Sequence, residues 1–162
     1  MSKAPRYWLM KSEPSAYSLQ DLKNSPGGTD CWDGVRNYQA RNYMRDEMGV
    51  GDRVLFYHSS NKATAIVGEA VVVREAYPDH TAWDPKDDHF DPRSTPDNPV
   101  WMMVDIRFVR EFPRPLTLPE LREMPALAEM VLLRKGMRLS IQTVTAKEYR
   151  AIAARAEGKG KP

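Results

Sequence analysis

Five prolines fall within residues 78–99: Pro78, Pro85, Pro92, Pro96 and Pro99. Proline lacks a backbone donor and fixes φ, so this stretch excludes both a helix interior and a laddered strand. The segments around it read as strands. Arg53–His58 and Ala65–Tyr77 are rich in β-branched and aromatic residues, and Val71-Val72-Val73 suits a strand covered on both faces. The polar tip Ser59-Ser60-Asn61-Lys62 joins these two as a hairpin. After the prolines, residues 100–109 alternate with period two. Met102, Val104, Ile106 and Phe108 point one way; Trp101, Met103, Asp105 and Arg107 point the other. Pro113 and Pro115 are expected to end that strand. The chain must therefore build a sheet and carry a long loop off it, and loops of this length in a compact domain are often functional.

The remaining elements fit around that sheet. Tyr7-Trp8-Leu9-Met10 predicts an early strand. Ser18 followed by Asp21 predicts a capped short helix that Pro26-Gly27-Gly28 ends. Residues 29–34 read as extended or irregular. Ala40, Tyr43, Met44 and Met48 place a helix over about Asn37–Glu47. Thr117-Leu118-Pro119-Glu120 opens another, residues 126–133 a further one, and Arg138–Val144 a last strand. Thr145 with Glu148 caps a final helix whose Tyr149, Ile152, Ala153 and Ala156 share a face. At 162 residues the chain suits one domain, spanning 4–157 with a disordered tail at 158–162. The expected class is α+β, with a mostly antiparallel sheet able to curl into a small barrel.

Net charge is only +2, but it is unevenly distributed. Residues 79–97 hold six aspartates against Lys86 and Arg93. Residues 132–155 hold Arg134, Lys135, Arg138, Lys147, Arg150 and Arg155 against Glu148 alone. A basic stripe is the footprint of a nucleic-acid binder, and equally the look of a solvated helix. The single cysteine, Cys31, excludes an intramolecular disulfide and a cysteine-rich zinc site. No apolar run matches a signal peptide or a membrane span, so a soluble cytoplasmic protein is expected.

Phosphate-binding, dinucleotide, zinc-deaminase and nucleophile-elbow motifs are all absent from the sequence. His80, His89 and their acidic neighbours match no calcium-loop spacing and suit exposed Asp–Pro turns. Cys31 with His58 is a conceivable nucleophile and base, but a small buried hydrophobe is the plainer reading. The richer constellation is Trp32-Asp33-Gly34-Val35-Arg36-Asn37-Tyr38, with Lys11-Ser12-Glu13-Pro14 and with Ser140 and Gln142 on one strand face. A flat base needs a π-face to stack on and carboxylate, amide or hydroxyl groups at its edge. The alternative is structural: Trp32 and Trp101 in the core, Asp33 and Asn37 capping a helix. Pattern alone leaves both open.

Five blocks then resemble one family. Tyr7-Trp8-Leu9-Met10-Lys11-Ser12-Glu13-Pro14 is similar to the opening of EVE domains, and Trp32-Asp33-Gly34-Val35-Arg36-Asn37-Tyr38-Gln39-Ala40-Arg41-Asn42 to their strongest motif. Val54-Leu55-Phe56-Tyr57-His58-Ser59 with Asn61, Ile66-Val67-Gly68, and Arg138-Leu139-Ser140-Ile141-Gln142 follow in order, so the likeness runs from residue 6 to about 155. Thr143 stands where the family pattern has proline. The resemblance implies a PUA-like fold, a small mixed β-barrel with surrounding helices, akin to YTH domains with their aromatic cage for methylated adenine. It implies a non-enzymatic reader of modified bases in DNA, chiefly methylcytosine and hydroxymethylcytosine, with no cofactor and no metal. Carried over, Trp32 is a cage wall or stacking platform. Ser12, Glu13, Asp33, Val35 and Asn37 line the pocket; Ser59 and Asn61 close one side, Ser140 and Gln142 the other. Charge and position, rather than the resemblance, add Arg36, Lys62, Arg134, Lys135 and Arg138 as phosphate contacts and Trp83 as a lid. The competing functions are a module for modified RNA such as tRNA, an enzyme on a nucleobase or small ligand, and a protein-docking domain.

Overall fold

The computed structural model describes residues 5–59 and 64–158. Asn61, Lys62 and the tail beyond Gly158 lie outside the described residues. Six strands form one mixed sheet. β1 (Tyr7–Ser12) runs parallel to β3 (Arg53–His58) and antiparallel to β6 (Ile141–Val144). β4 (Ala65–Pro78) pairs with β3 on one side and with β5 (Met102–Thr117) on the other. β2 (Thr29–Cys31) lies outside β5, so the spatial order is β2-β5-β4-β3-β1-β6.

Both faces of the sheet are covered, which explains the unbroken apolar runs in β1 and β3. Trp8, Met10, Val54 and Phe56 point into one core with Val104, Ile106 and Met44. Their neighbours Leu9, Leu55 and Tyr57 point into the other, with Leu121, Leu127, Tyr149 and Ile152. The second core is closed by α3 (Leu118–Arg122) and α4 (Ala146–Ala156). Two capping boxes begin helices where the sequence predicts them: Ser18 with Asp21 at α1 (Leu19–Lys23), and Thr145 with Glu148 at α4. Among the described residues, no helix is long and apolar enough to cross a membrane.

Several expectations need correction. The helix predicted over Asn37–Glu47 is α2 (Tyr38–Asn42) followed by a π-helical turn, Tyr43–Glu47. Residues 126–133 form no continuous helix, only the 3-10 turns Pro125–Leu127 and Val131–Leu133, which seat Leu127 and Leu132 in the second core. Pro113 and Pro115 do not end β5, which runs to Thr117. Register shifts between Ile66 and Gly68, and β2 reaches only residues 105–107 on the other side. The prolines thus sit at an irregularity on a free edge, where no ladder bond needs their missing N–H.

The sheet is also not closed into a barrel: among the described residues no ladder joins the outer strands β2 and β6. β2 is only three residues long. Both edges do continue by one main-chain bond, Trp32 N–H to Val104 O at 2.7 Å and Lys11 N–H to Ser140 O at 2.9 Å. The gap left between those edges holds the site described below.

Gly68 sits at a close backbone approach in the sheet. A Cβ there would lie 2.4 Å from Arg110 O and 2.5 Å from Leu19 Cδ2. Gly68→Ala is expected to lower unfolding stability by about 1–3 kcal/mol through overpacking, read as a reduced urea midpoint with unchanged slope.

Candidate functional site

A cavity of about 400 Å³ opens at the C-terminal end of β1, between the two unpaired sheet edges. β1 and the turn after it contribute Lys11, Ser12, Glu13, Ala16 and Tyr17. β2 and the chain beyond it contribute Asp30, Cys31, Trp32, Asp33, Gly34, Val35 and Arg36. Ser140 enters from just before β6, and His89 from the proline-rich loop.

Six of the predicted pocket residues therefore come together: Ser12, Glu13, Trp32, Asp33, Val35 and Ser140. Of the other predicted residues, Asn61 lies outside the described residues, and Asn37, Ser59 and Gln142 do not line the cavity. Asn37 caps α2, its Oδ1 accepting Ala40 N–H at 2.9 Å, which is the structural alternative raised for it. Ser59 supports the wall from behind by donating its N–H to Ser12 O at 2.9 Å. Gln142 is buried and donates Nε2–H to Leu139 O at 2.8 Å, holding the segment that leads to Ser140. Trp83 does not line the cavity; the loop reaches it through His89 instead. Lys11, Ala16, Tyr17, Asp30, Cys31, Gly34 and His89 are lining residues that sequence reasoning missed. Lys11 and Gly34 had a local signal, since Lys11 adjoins Ser12 in the first block and Gly34 lies within the Trp32 block.

Trp32 is only 9% exposed and meets Phe56 edge-on at 5.5 Å between centroids. It is a core residue whose small remaining surface faces the cavity. Trp101 is wholly structural: buried, with its indole N–H on Asp91 at 2.7 Å. Cys31 is a partly buried free thiol among carboxylates. Burial first, then Asp33, Asp30 and Asp105, push its thiol up to about 12. His58 Nε2 accepts Leu19 N–H at 3.1 Å, and burial lowers its basicity. Among the described residues no hydrogen bond joins His58 to Cys31.

The acidic loop is organised by its own carboxylates. Asp79, Asp84, Asp87 and Asp91 each accept the N–H two residues on, a turn geometry native to aspartate. Asp79 does more. It is fully buried and binds Thr81 Oγ1 at 2.6 Å, Gly34 N–H at 2.8 Å and Arg36 Nη1 at 3.0 Å. Arg36 also donates Nε and Nη2 to His89 O at 3.0 and 2.6 Å. Its guanidinium, expected to meet phosphate, is thus committed to tying the loop to the cavity wall. Gly34 adopts φ +79°, and a Cβ on it would meet the His89 ring at 2.6 Å. Among the described residues, no three of His, Cys, Asp and Glu gather as a metal ion would require.

Arg134, Lys135 and Arg138 line a second cavity, about 420 Å³, together with Lys11, Tyr57 and Arg122. Every charged residue of its lining is a cation. Lys11 belongs to both cavities.

Known proteins share this fold. The EVE domain model matches residues 6–155. Thymocyte nuclear protein 1 from Homo sapiens is 45% identical over 160 residues, covering 88% of this chain and 70% of that protein. A hypothetical protein from Leishmania major superimposes with a TM-score of 0.89 at 46% identity, covering 96% of each chain. Human THYN1 protein in complex with 5-methylcytosine containing DNA superimposes with a TM-score of 0.89 at 42% identity, covering 97% of this chain and 99% of that one.

Burial alone would raise the Asp79 carboxyl, but its bonds from Thr81, Gly34 and Arg36 outweigh that and hold it below the ordinary value. Its stabilising contribution is therefore complete at neutral pH and is lost as pH falls through the carboxylate range. Asp79→Ala should cost about 3–5 kcal/mol at pH 7, because Arg36 loses its counter-charge in a half-buried setting. Paired urea titrations at pH 7 and in acid should show the gap to wild type narrowing as pH falls.

Proposed function

The chain belongs to the EVE domain family, and from that premise we propose that it is a non-enzymatic module that binds DNA and takes one modified cytosine, methylated or hydroxymethylated at C5, out of the stack. The observation that carries this reading is the pairing of two cavities. One is of base-binding size with an aromatic wall, the other has only cations among its charged lining residues, and Lys11 lines both. The human relative crystallised with 5-methylcytosine containing DNA supports the ligand class.

The energetics follow from the parts. Extruding a base costs a few kcal/mol. Stacking on an aromatic side chain returns about 1–3 kcal/mol, here from Trp32 and Tyr17. Phosphate contacts at Arg134, Lys135 and Arg138 supply the salt-dependent remainder. Among the described residues of the cavity no hydrogen bond pairs the Cys31 thiol with a histidine, which favours a reader over a base-modifying enzyme.

Recognition of cytosine needs a specific device. 5-Methylcytosine and thymine both carry the C5 methyl group, so a methyl niche cannot separate them. They differ at position 4, where cytosine offers an amino donor and thymine a carbonyl acceptor. Among the described residues, the carboxyls of Glu13 and Asp33 accept no hydrogen bond, whereas Asp30 already holds the Tyr17 hydroxyl at 2.7 Å and Cys31 N–H at 2.8 Å. Desolvation first, then Asp79, Asp87 and Asp30, raise Asp33, with only His89 favouring its charge. An amino group placed against Asp33 relieves that repulsion; a carbonyl oxygen adds to it.

Two measurements test this. Fluorescence-anisotropy titrations should favour duplexes with a central 5-methylcytosine or 5-hydroxymethylcytosine over cytosine by about 1–3 kcal/mol; equal affinity for all three overturns the reading, and stronger binding to matched RNA moves it to RNA. Asp33→Asn should then reduce the preference for 5-methylcytosine over a mismatched thymine roughly tenfold or more, because an amide can turn a donor toward the carbonyl.

A further inference from the structure

Lys11 is the one charged side chain that lines both cavities. Its backbone is firmly placed: it is paired with Tyr57 in the parallel ladder, and its N–H donates to Ser140 O at 2.9 Å. Its ammonium is half-buried, and burial lowers its basicity. Yet among the described residues no carboxylate pairs with it. Among the described residues its ammonium meets the Tyr57 ring, 5.7 Å from Nζ to the centroid. Several partly buried cations elsewhere do meet a carboxylate: Arg36 with Asp79, Arg110 with Glu69, and Arg155 with Glu120. A half-buried ammonium without a counter-charge is unfavourable unless an anion arrives.

The surroundings say which anion. On the far side of Lys11 the second cavity presents Arg122, Arg134, Lys135 and Arg138 and no acid. On the near side the base-sized cavity is bounded by Glu13, Asp30 and Asp33, with the aspartate-rich loop behind His89. A polyanion crossing this region meets attraction on one side only. Resting on the base-binding reading above, we infer that Lys11 binds the phosphate linking the flipped nucleotide to its neighbour, and that the phosphodiester backbone leaves the base cavity over Lys11 into the cationic cleft. The strand therefore has one direction of exit. Lys11 holds the first phosphate, and Arg134 and Arg138 hold later ones on that same side of the modified base. Hydrogen bonds to charged groups have the strength for such a clamp.

The test couples protein and DNA changes. Duplexes carrying one 5-methylcytosine are made with single neutral methylphosphonates, stepped along both sides of that base. Wild-type protein should lose about tenfold or more in affinity when one phosphate adjoining the modified nucleotide is neutralised. Lys11→Gln should lose a similar factor on unmodified backbone and then be insensitive at that one position, while staying sensitive elsewhere. Lys11→Arg should recover most of the loss. Arg134→Gln should show the same insensitivity one or more phosphates further on, on the same side. Equal penalties for wild type and Lys11→Gln at every position overturn the inference, as does coupling of Lys11 and Arg134 to opposite sides of the base. The wild-type scan keeps the test open should a variant fold poorly, since a loss absent from both adjoining phosphates overturns the inference alone. These outcomes are separate from the preference for modified over unmodified cytosine, which judges the base-binding reading itself.

Discussion

A fully buried carboxylate holds the cavity wall and the acidic loop together as one piece. Asp79 receives the N–H of Gly34, the guanidinium of Arg36 and both donors of Thr81, and its own N–H reaches Trp101 O at 2.8 Å. An isolated carboxylate cannot be buried at acceptable cost. Here four donors converge on it, and they come from the chain after β2 and from the start of the loop. Gly34 can approach because it lacks a side chain and tolerates φ +79°. That same lack leaves room for the imidazole of His89. One buried charge thus fixes the backbone beside Trp32 and Asp33, the course of the loop, and the group the loop presents to the cavity.

The second constraint is topological. A sheet of six strands with β2 and β6 outermost has two edges to satisfy, and closing them into a barrel would satisfy both. This chain brings the edges to one place without pairing them. The polar groups that a closed ladder would consume are replaced by a cavity lined from both sides, by Asp30–Val35 and by Lys11–Glu13 with Ser140. The charge asymmetry visible in composition acquires a geometry there. The aspartate loop reaches the cavity at His89, and the cationic segment around residues 134–138 lies beyond Lys11.

What was legible in the sequence was local. Period-two alternation located β5, and side-chain oxygens with acids three residues on located the starts of α1 and α4. The Trp32 block marked one wall of the site. The illegible parts depend on partners far along the chain. Pro113 and Pro115 look like strand breakers until the free edge beside them is seen. Arg36 looks like a phosphate ligand because nothing near it in sequence shows that Asp79, 43 residues away, claims its guanidinium. His89 sits in a proline-rich stretch without periodicity, and only the Asp79 hub brings its ring onto Gly34. Asn37 illustrates the opposite case. Its capping role was as readable as a pocket role, and the local bond to Ala40 is the one it makes.

The burial of Trp32 bears on how such a site must work. A tryptophan 9% exposed has little face left to offer a base, so the upper end of the stacking range is out of its reach. Extrusion of a paired base still costs a few kcal/mol. If a base is extruded here, the balance must come from contacts that are indifferent to base identity, and a cleft whose charged groups are all cations is suited to supply them through counterion release. Affinity and selectivity are then carried by different parts of the molecule. On the proposed reading, the cleft beyond Lys11 would set how tightly any DNA is held, and the carboxyl-lined gap between the sheet edges would set which base remains out of the helix. Because Lys11 lines both cavities, on that reading it would link the two contributions geometrically: a backbone held there could present only one nucleotide to the cavity at a time.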